Sequence, residues 1–137
     1  MTATKEIEKL NSDSNPTNKT VLLVDDDLEI VETLKFALTR SGYEVVVARN
    51  GNEALVLAQT EQPDVMILDL MMPKRSGFLV LEALRQKGQN PLPVIVITAN
   101  EGSRHREYVE ILGVREYFCK PIPIESLLES IERIVVD

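Results

Sequence analysis

Three aspartates in succession, Asp25-Asp26-Asp27, follow directly on the apolar run Val21–Val24. Asp69 follows a second such run, Val65–Leu68, and leads into Leu70-Met71-Met72-Pro73 and then Gly77. Thr98 and Ala99 come after Val94–Ile97, and Lys120 and Pro121 after Tyr117–Cys119. If each run is a strand of one parallel sheet, the carboxylates of Asp25, Asp26 and Asp69, the Thr98 hydroxyl and the Lys120 ammonium converge on a single rim. Carboxylates crowded in this way repel one another, which raises their pKa values and costs stability. A hard divalent cation with oxygen ligands and several waters relieves the repulsion, and Mg2+ is the natural candidate. A carboxylate facing such an ion can act as a nucleophile toward phosphorus and form an aspartyl phosphate. Phosphoryl transfer asks mainly for charge neutralisation and positioning, which magnesium, a lysine and a hydroxyl would supply.

The elements that must hold these groups can be read from the hydrophobic pattern. A further apolar run, Val45–Ala48, joins the four above. Between the runs lie segments with helical spacing. Ile30, Leu34 and Ala37/Leu38 make one face, closed by Gly42 just past its end. Ala54, Leu57 and Ala58 make a second. Phe78, Leu81 and Leu84 follow Ser76, a candidate N-cap, and precede Gly88. Val109 and Leu112 precede Gly113, and Ile124, Leu127, Leu128, Ile131 and Val135 form a last amphipathic helix with Pro123 near its start. Five β/α units in strict alternation argue for an α/β fold, a parallel sheet covered by helices on both faces. VLLV, VMIL and VIVI are apolar at every position, as strands buried on both faces should be, so they are expected to be the three central strands. Ligands of such sheets bind outside the carboxyl ends of the strands, where the strand order reverses.

VLLVDDD, ILDLMMPKRSG, VIVITA and YFCKP, in this order and at these intervals, resemble the four signature segments of response-regulator receiver domains. The resemblance covers about residues 19–137, with no insertion or deletion evident between Asp69 and Lys120. It implies a doubly wound, flavodoxin-like five-stranded parallel sheet in the order 2-1-3-4-5, with five flanking helices. By similarity Asp69 accepts the phosphoryl group, Asp26 binds magnesium directly and Asp25 mainly through water, and the backbone carbonyl of Met71 is the third protein ligand. Lys120 would pair with the phosphoryl oxygens. Thr98 would move toward the phosphoryl group on activation and draw Tyr117 to a more buried rotamer. That motion would remodel the surface of the fourth helix, fifth strand and fifth helix, where a downstream effector reads the state. The Lys120–Pro121 peptide is implied to be cis. The donor would be a sensor histidine kinase or a phosphotransfer protein, and the chain would be a phospho-acceptor signalling domain rather than an enzyme with a separate substrate.

Blander readings apply to several residues. Asp27 is expected to cap a helix rather than bind an ion. Cys119 reads as a small buried hydrophobe and not a redox sensor. His105 sits among Arg104, Arg106 and Glu107 on a solvated helix start, and the Met71–Met72 pair reads as loop and core packing rather than a metal-thioether site, since magnesium prefers oxygen to thioether. Val114-Arg115-Glu116 stands where many receivers carry an alanine and two acidic residues, so salt-bridged dimerisation is not implied; a monomer or weak dimer is expected. Met71 and Asn100, two positions beyond Asp69 and Thr98, are places whose side chains tune dephosphorylation in related proteins.

Other functions fit less well. A haloacid-dehalogenase-like phosphatase needs D-x-D-x-T/V, and Asp25-Asp26-Asp27-Leu28-Glu29 ends in Glu29. A nucleotide-binding turn needs glycines where three aspartates stand. An interaction module shaped like a receiver but never phosphorylated is the remaining alternative, although such proteins usually lose a pocket acid or the lysine.

The 137 residues suit one domain, able to bury roughly two thirds of its unfolded surface. Residues 1–19 carry Lys5, Lys9 and Lys19 against Glu6, Glu8 and Asp13, so the net charge of −7 belongs to residues 20–137. An acidic body repels phosphates, and direct nucleic-acid binding is not expected. No apolar run reaches the ~20 residues of a membrane helix. There is no signal-peptide stretch, and a single cysteine forms no intrachain disulfide, so a cytoplasmic location is expected. Residues 1–19 read as a flexible N-terminal extension, with residues 1–10 able to form a helical turn or two, and residues 20–137 as the receiver domain. The chain is then a stand-alone receiver or one belonging to a longer regulator.

Overall fold

In the computed structural model, the described residues are 17–72, 76–86, 92–99 and 103–136, without the side chains of 103–105. The expectations for residues 1–16, Gly88, Asn100 and the His105 side chain lie outside them. Strands and helices alternate as β1 (Thr20–Val24), α1 (Leu28–Arg40), β2 (Glu44–Ala48), α2 (Gly51–Thr60), β3 (Val65–Asp69), α3 (Gly77–Gln86), β4 (Val94–Thr98), α4 (Ser103–Ile111), β5 (Glu116–Cys119) and α5 (Ile124–Val135).

The strands form one parallel sheet in the order β2-β1-β3-β4-β5. The three all-apolar runs are the central strands, and every residue of β3 and β4 is buried. The edge strands β2 and β5 are mostly half-buried. Alternation of side chains along each strand feeds two cores. On one face, Val21, Leu23, Ile67, Ile95 and Ile97 pack with Val31, Leu34 and Leu38 of α1 and Leu127 and Ile131 of α5. On the other, Leu22, Val24, Met66, Leu68 and Val96 pack with Ala54 of α2, Val80 and Leu81 of α3 and Val109 of α4. Each fully buried aliphatic side chain contributes about 1.5–3 kcal/mol relative to exposure.

Local signals set the helix ends. Asp27 accepts from the amides of Glu29 (3.0 Å) and Ile30 (3.4 Å), capping α1 as expected. Gly42 (φ 96°) and Gly113 (φ 81°) take the left-handed conformation beyond α1 and α4. The Ser76 hydroxyl accepts from Leu79 N at 3.4 Å at the start of α3. Two readings need correction. Val31, not Ile30, is the buried residue of the first turn of α1, because its spacing of three to Leu34 and seven to Leu38 matches the face turned to the sheet. Cys119 is half-buried rather than buried, because β5 is an edge strand.

Candidate functional site

The strand order reverses at β1, and the loop Asp25–Asp27 leaves the sheet there, beside the end of β3. Asp69 and Thr98 are the last residues of β3 and β4 rather than the first loop residues, since Asp69 pairs with Ile97 and Thr98 with Cys119. Ladder pairing therefore fixes both side chains at the rim. Lys120 follows β5 directly, its backbone N–H bonded to Thr98 O at 2.8 Å. The Lys120–Pro121 bond is cis.

These elements bring the predicted groups together. One carboxylate oxygen from each of Asp25, Asp26 and Asp69 lies within 4.8 Å of the others. Asp25 and Asp69 are buried and Asp26 half-buried. Lys120 Nζ stands 3.0 Å from Asp25 Oδ2 and 3.6 Å from Asp69 Oδ2. Asp25 Oδ1 accepts from Asp27 N at 2.9 Å, and Asp69 Oδ1 from Met71 N at 3.3 Å. The Lys120–Asp25 contact is an ion pair by distance but is not aligned as a hydrogen bond, so the buried Oδ2 of Asp25 retains an unmet acceptor.

The charges do not balance. Burial, followed by the neighbouring Asp25 charge, pushes the Asp69 pKa from 3.8 up to about 7, although Lys120 and the Met71 amide pull it down. Burial works against the Lys120 ammonium, but the two carboxylates outweigh it and hold its pKa above the ordinary lysine range. Three acids against one lysine leave the pocket short of positive charge. The buried Asp25 Oδ2, ion-paired with Lys120 but with no aligned hydrogen bond, and the all-oxygen donor set suit a hard divalent cation.

Gly77 is part of the same construction. A Cβ there would lie 2.4 Å from Asp69 O and 2.7 Å from Leu70 Cα, so only glycine lets α3 start against the end of β3. Met71 turns its side chain outward, 53% exposed. Tyr117 is half-buried on β5, with the Arg106 guanidinium 5.4 Å above its ring and Arg106 Nε paired to Glu110 at 3.2 Å. The Tyr108 hydroxyl donates to Glu82, which ties α4 to α3. Asp27 is occupied in capping α1, which removes the second aspartate that a D-x-D phosphatase would use.

One residue that sequence reasoning did not single out also reaches this loop. Arg49, just after β2, donates from Nη2 to the backbone carbonyl of Asp26 at 3.2 Å. Its only advance signal is its place at the carboxyl end of the strand beside β1.

Comparison with known proteins agrees with the geometry. Residues 21–132 match the response regulator receiver domain family. The alkaline phosphatase synthesis transcriptional regulatory protein PhoP of Bacillus subtilis (strain 168) is 41% identical over 104 residues, 76% of this chain and 43% of that protein. The response regulator MprA of Mycolicibacterium vanbaalenii is 39% identical over 79% of this chain and 46% of its own length, so the chain spans less than half of these relatives. Among solved structures, the receiver domain of Francisella response regulator 1452 superposes with a TM-score of 0.81 at 32% identity, covering 86% of this chain and 97% of the other. The chemotaxis response regulator CheY4 of Vibrio cholerae gives 0.78 at 33% identity, covering 86% and 99%. Together with the acidic rim and its lysine, these matches make the chain a member of the response regulator receiver domain family of two-component signalling.

Proposed function

We propose that the chain is a phosphorylation switch in which Asp69 accepts a phosphoryl group from a sensor histidine kinase or a phosphotransfer protein. The observation that carries this reading is the grouping of three carboxylate oxygens within 4.8 Å of one another, with Lys120 Nζ 3.0 and 3.6 Å from two of the carboxylates. Asp25, Asp26 and Asp69, with the carbonyl of Met71, would hold Mg2+. The ion held there would supply charge neutralisation for the acids and the phosphoryl oxygens during transfer.

Asp69 Oδ attacks phosphorus as the bond from phosphorus to the donor's histidine nitrogen breaks, and the departing imidazole takes up a proton. Lys120 sits within reach of Asp69 and pairs with a phosphoryl oxygen, while the Thr98 hydroxyl donates to another. Movement of Thr98 toward the new group withdraws support from the surface beside it, and Tyr117 turns inward. The α4-β5-α5 face, where Arg106 of α4 lies over the Tyr117 ring of β5, is then the surface an effector reads. The chain acts as a phospho-acceptor with autodephosphorylation, not as an enzyme on a separate substrate. The acidic body argues against direct nucleic-acid contact, and no helix among the described residues is long and apolar enough to cross a membrane. A kinase or phosphotransfer donor places its work in the cytoplasm, as a monomer or weak dimer.

Amide NMR spectra recorded on adding beryllofluoride, a stable phosphoryl mimic, with magnesium test the switch. Shifts should begin around Asp69 and extend through α4, β5 and α5. A spectrum unchanged by the mimic would favour the phosphorylation-independent interaction module instead.

A further inference from the structure

The loop Asp25–Asp27 must hold two pocket carboxylates in place while it turns from β1 into α1. Two of its contacts are internal: Asp27 N bonds to Asp25 Oδ1 at 2.9 Å, and the Asp27 side chain caps α1. Neither touches the carbonyl of Asp26, whose carboxylate is the half-buried member of the pocket. That carbonyl receives Arg49 Nη2 at 3.2 Å, a contact spanning 23 residues. Arg49 is itself anchored. Ala48 lies in register with Val24, and Ala48 O accepts from Asp25 N at 3.1 Å. The Arg49 backbone N–H donates to Glu53 Oε1 at 2.9 Å, and Glu53 N is capped by Asn50 at 2.9 Å, so the start of α2 fixes the strand end that carries the guanidinium.

We infer that Arg49 is a positioning residue for the metal pocket: by holding the Asp26 carbonyl from the neighbouring strand end, it sets the direction in which the Asp26 carboxylate meets a divalent cation. The inference rests on the reading of the pocket as a magnesium site. Two effects of Arg49 oppose each other. Its tether favours cation binding by fixing Asp26 in advance, and its positive charge disfavours it. The guanidinium is exposed, so its charge is screened by salt while the hydrogen bond to the loop is screened far less.

The test uses the full chain and magnesium chloride alone, followed by amide NMR at about 0.5 M potassium chloride, where the screening length is about 4 Å. The magnesium dissociation constant should rise about three- to tenfold in Arg49→Ala, the factor expected for one lost hydrogen bond of ordinary strength. Arg49→Lys, which keeps a single donor, should fall between the two. With acetyl phosphate as donor, the half-saturating magnesium concentration should rise by a similar factor, with a much smaller change in rate at saturation. Without metal, the Asp26 and Asp27 amides should exchange hydrogen faster in Arg49→Ala. A dissociation constant that is unchanged or lower in Arg49→Ala, or unchanged amide exchange, overturns the inference. A wild-type protein that binds no magnesium overturns the magnesium site itself, and the exchange measurement still decides the tether.

Discussion

The two ends of this sheet are built from the same strands and treat charge in opposite ways. At the amino end, Thr20 and Asp64 satisfy each other: Thr20 N donates to Asp64 Oδ2 at 2.7 Å and Asp64 N to Thr20 O at 2.8 Å. Met66 N bonds to Pro93 O at 2.9 Å and Arg115 N to Val94 O at 2.8 Å, which closes the ladder. At the carboxyl end, Asp25 and Asp69 are buried around one lysine, with an acceptor left over and an Asp69 pKa near 7. Stability alone explains the first end and not the second. Uncompensated buried charge persists where chemistry uses it.

The comparison is sharpened most by Lys120. Lys120→Ala removes the only cation paired with the buried acids among the described residues. Its rate of phosphoryl uptake from acetyl phosphate should fall on the order of a hundredfold, the loss typical when one preorganised electrostatic partner is deleted. Initial rates at saturating magnesium measure this, and a fall of less than about tenfold would move the burden to other groups.

Stability should change in opposite directions at the two ends. Asp64→Ala strips the Thr20 amide of its acceptor and should cost about 1–2 kcal/mol in denaturant unfolding. Asp69→Asn replaces a strained carboxylate with a neutral isostere, and at pH 8 without metal it should stabilise the fold. If both substitutions destabilise, the carboxyl end is not charge-frustrated.

A smaller effect follows from pH. The folded-state pKa of Asp69 is raised, so the folded protein holds a proton that the unfolded chain has already released. Its contribution is fully present below about pH 4. It is lost as pH rises from there through about 7. Metal-free stability should therefore decline across that window in the wild type relative to Asp69→Asn. Magnesium, which displaces the proton, should bind more tightly as pH climbs toward 7. A pH series of unfolding curves with and without metal checks both signs.

Much of this contrast was legible in the residues. VLLV, VMIL and VIVI have no polar position, so they could only be central strands, and the acids and lysine at their carboxyl ends had to share a rim. What was not legible depends on angles rather than types. The phase of α1 made Val31 rather than Ile30 the inward residue, since both are aliphatic and adjacent. Cys119 is half-exposed because β5 has a neighbour on one side only. Asp69 and Thr98 lie inside their strands because ladder pairing runs one residue further than the apolar run. The Arg49–Asp26 contact joins two loops 23 residues apart and has no period or motif to announce it.

The central claim, that Asp69 is the acceptor, is tested most directly by intact mass after incubation with acetyl phosphate and magnesium. One phosphoryl group should appear on the wild type, and none on Asp69→Asn or on wild type with the metal chelated. Phosphoryl uptake that persists in Asp69→Asn would contradict it.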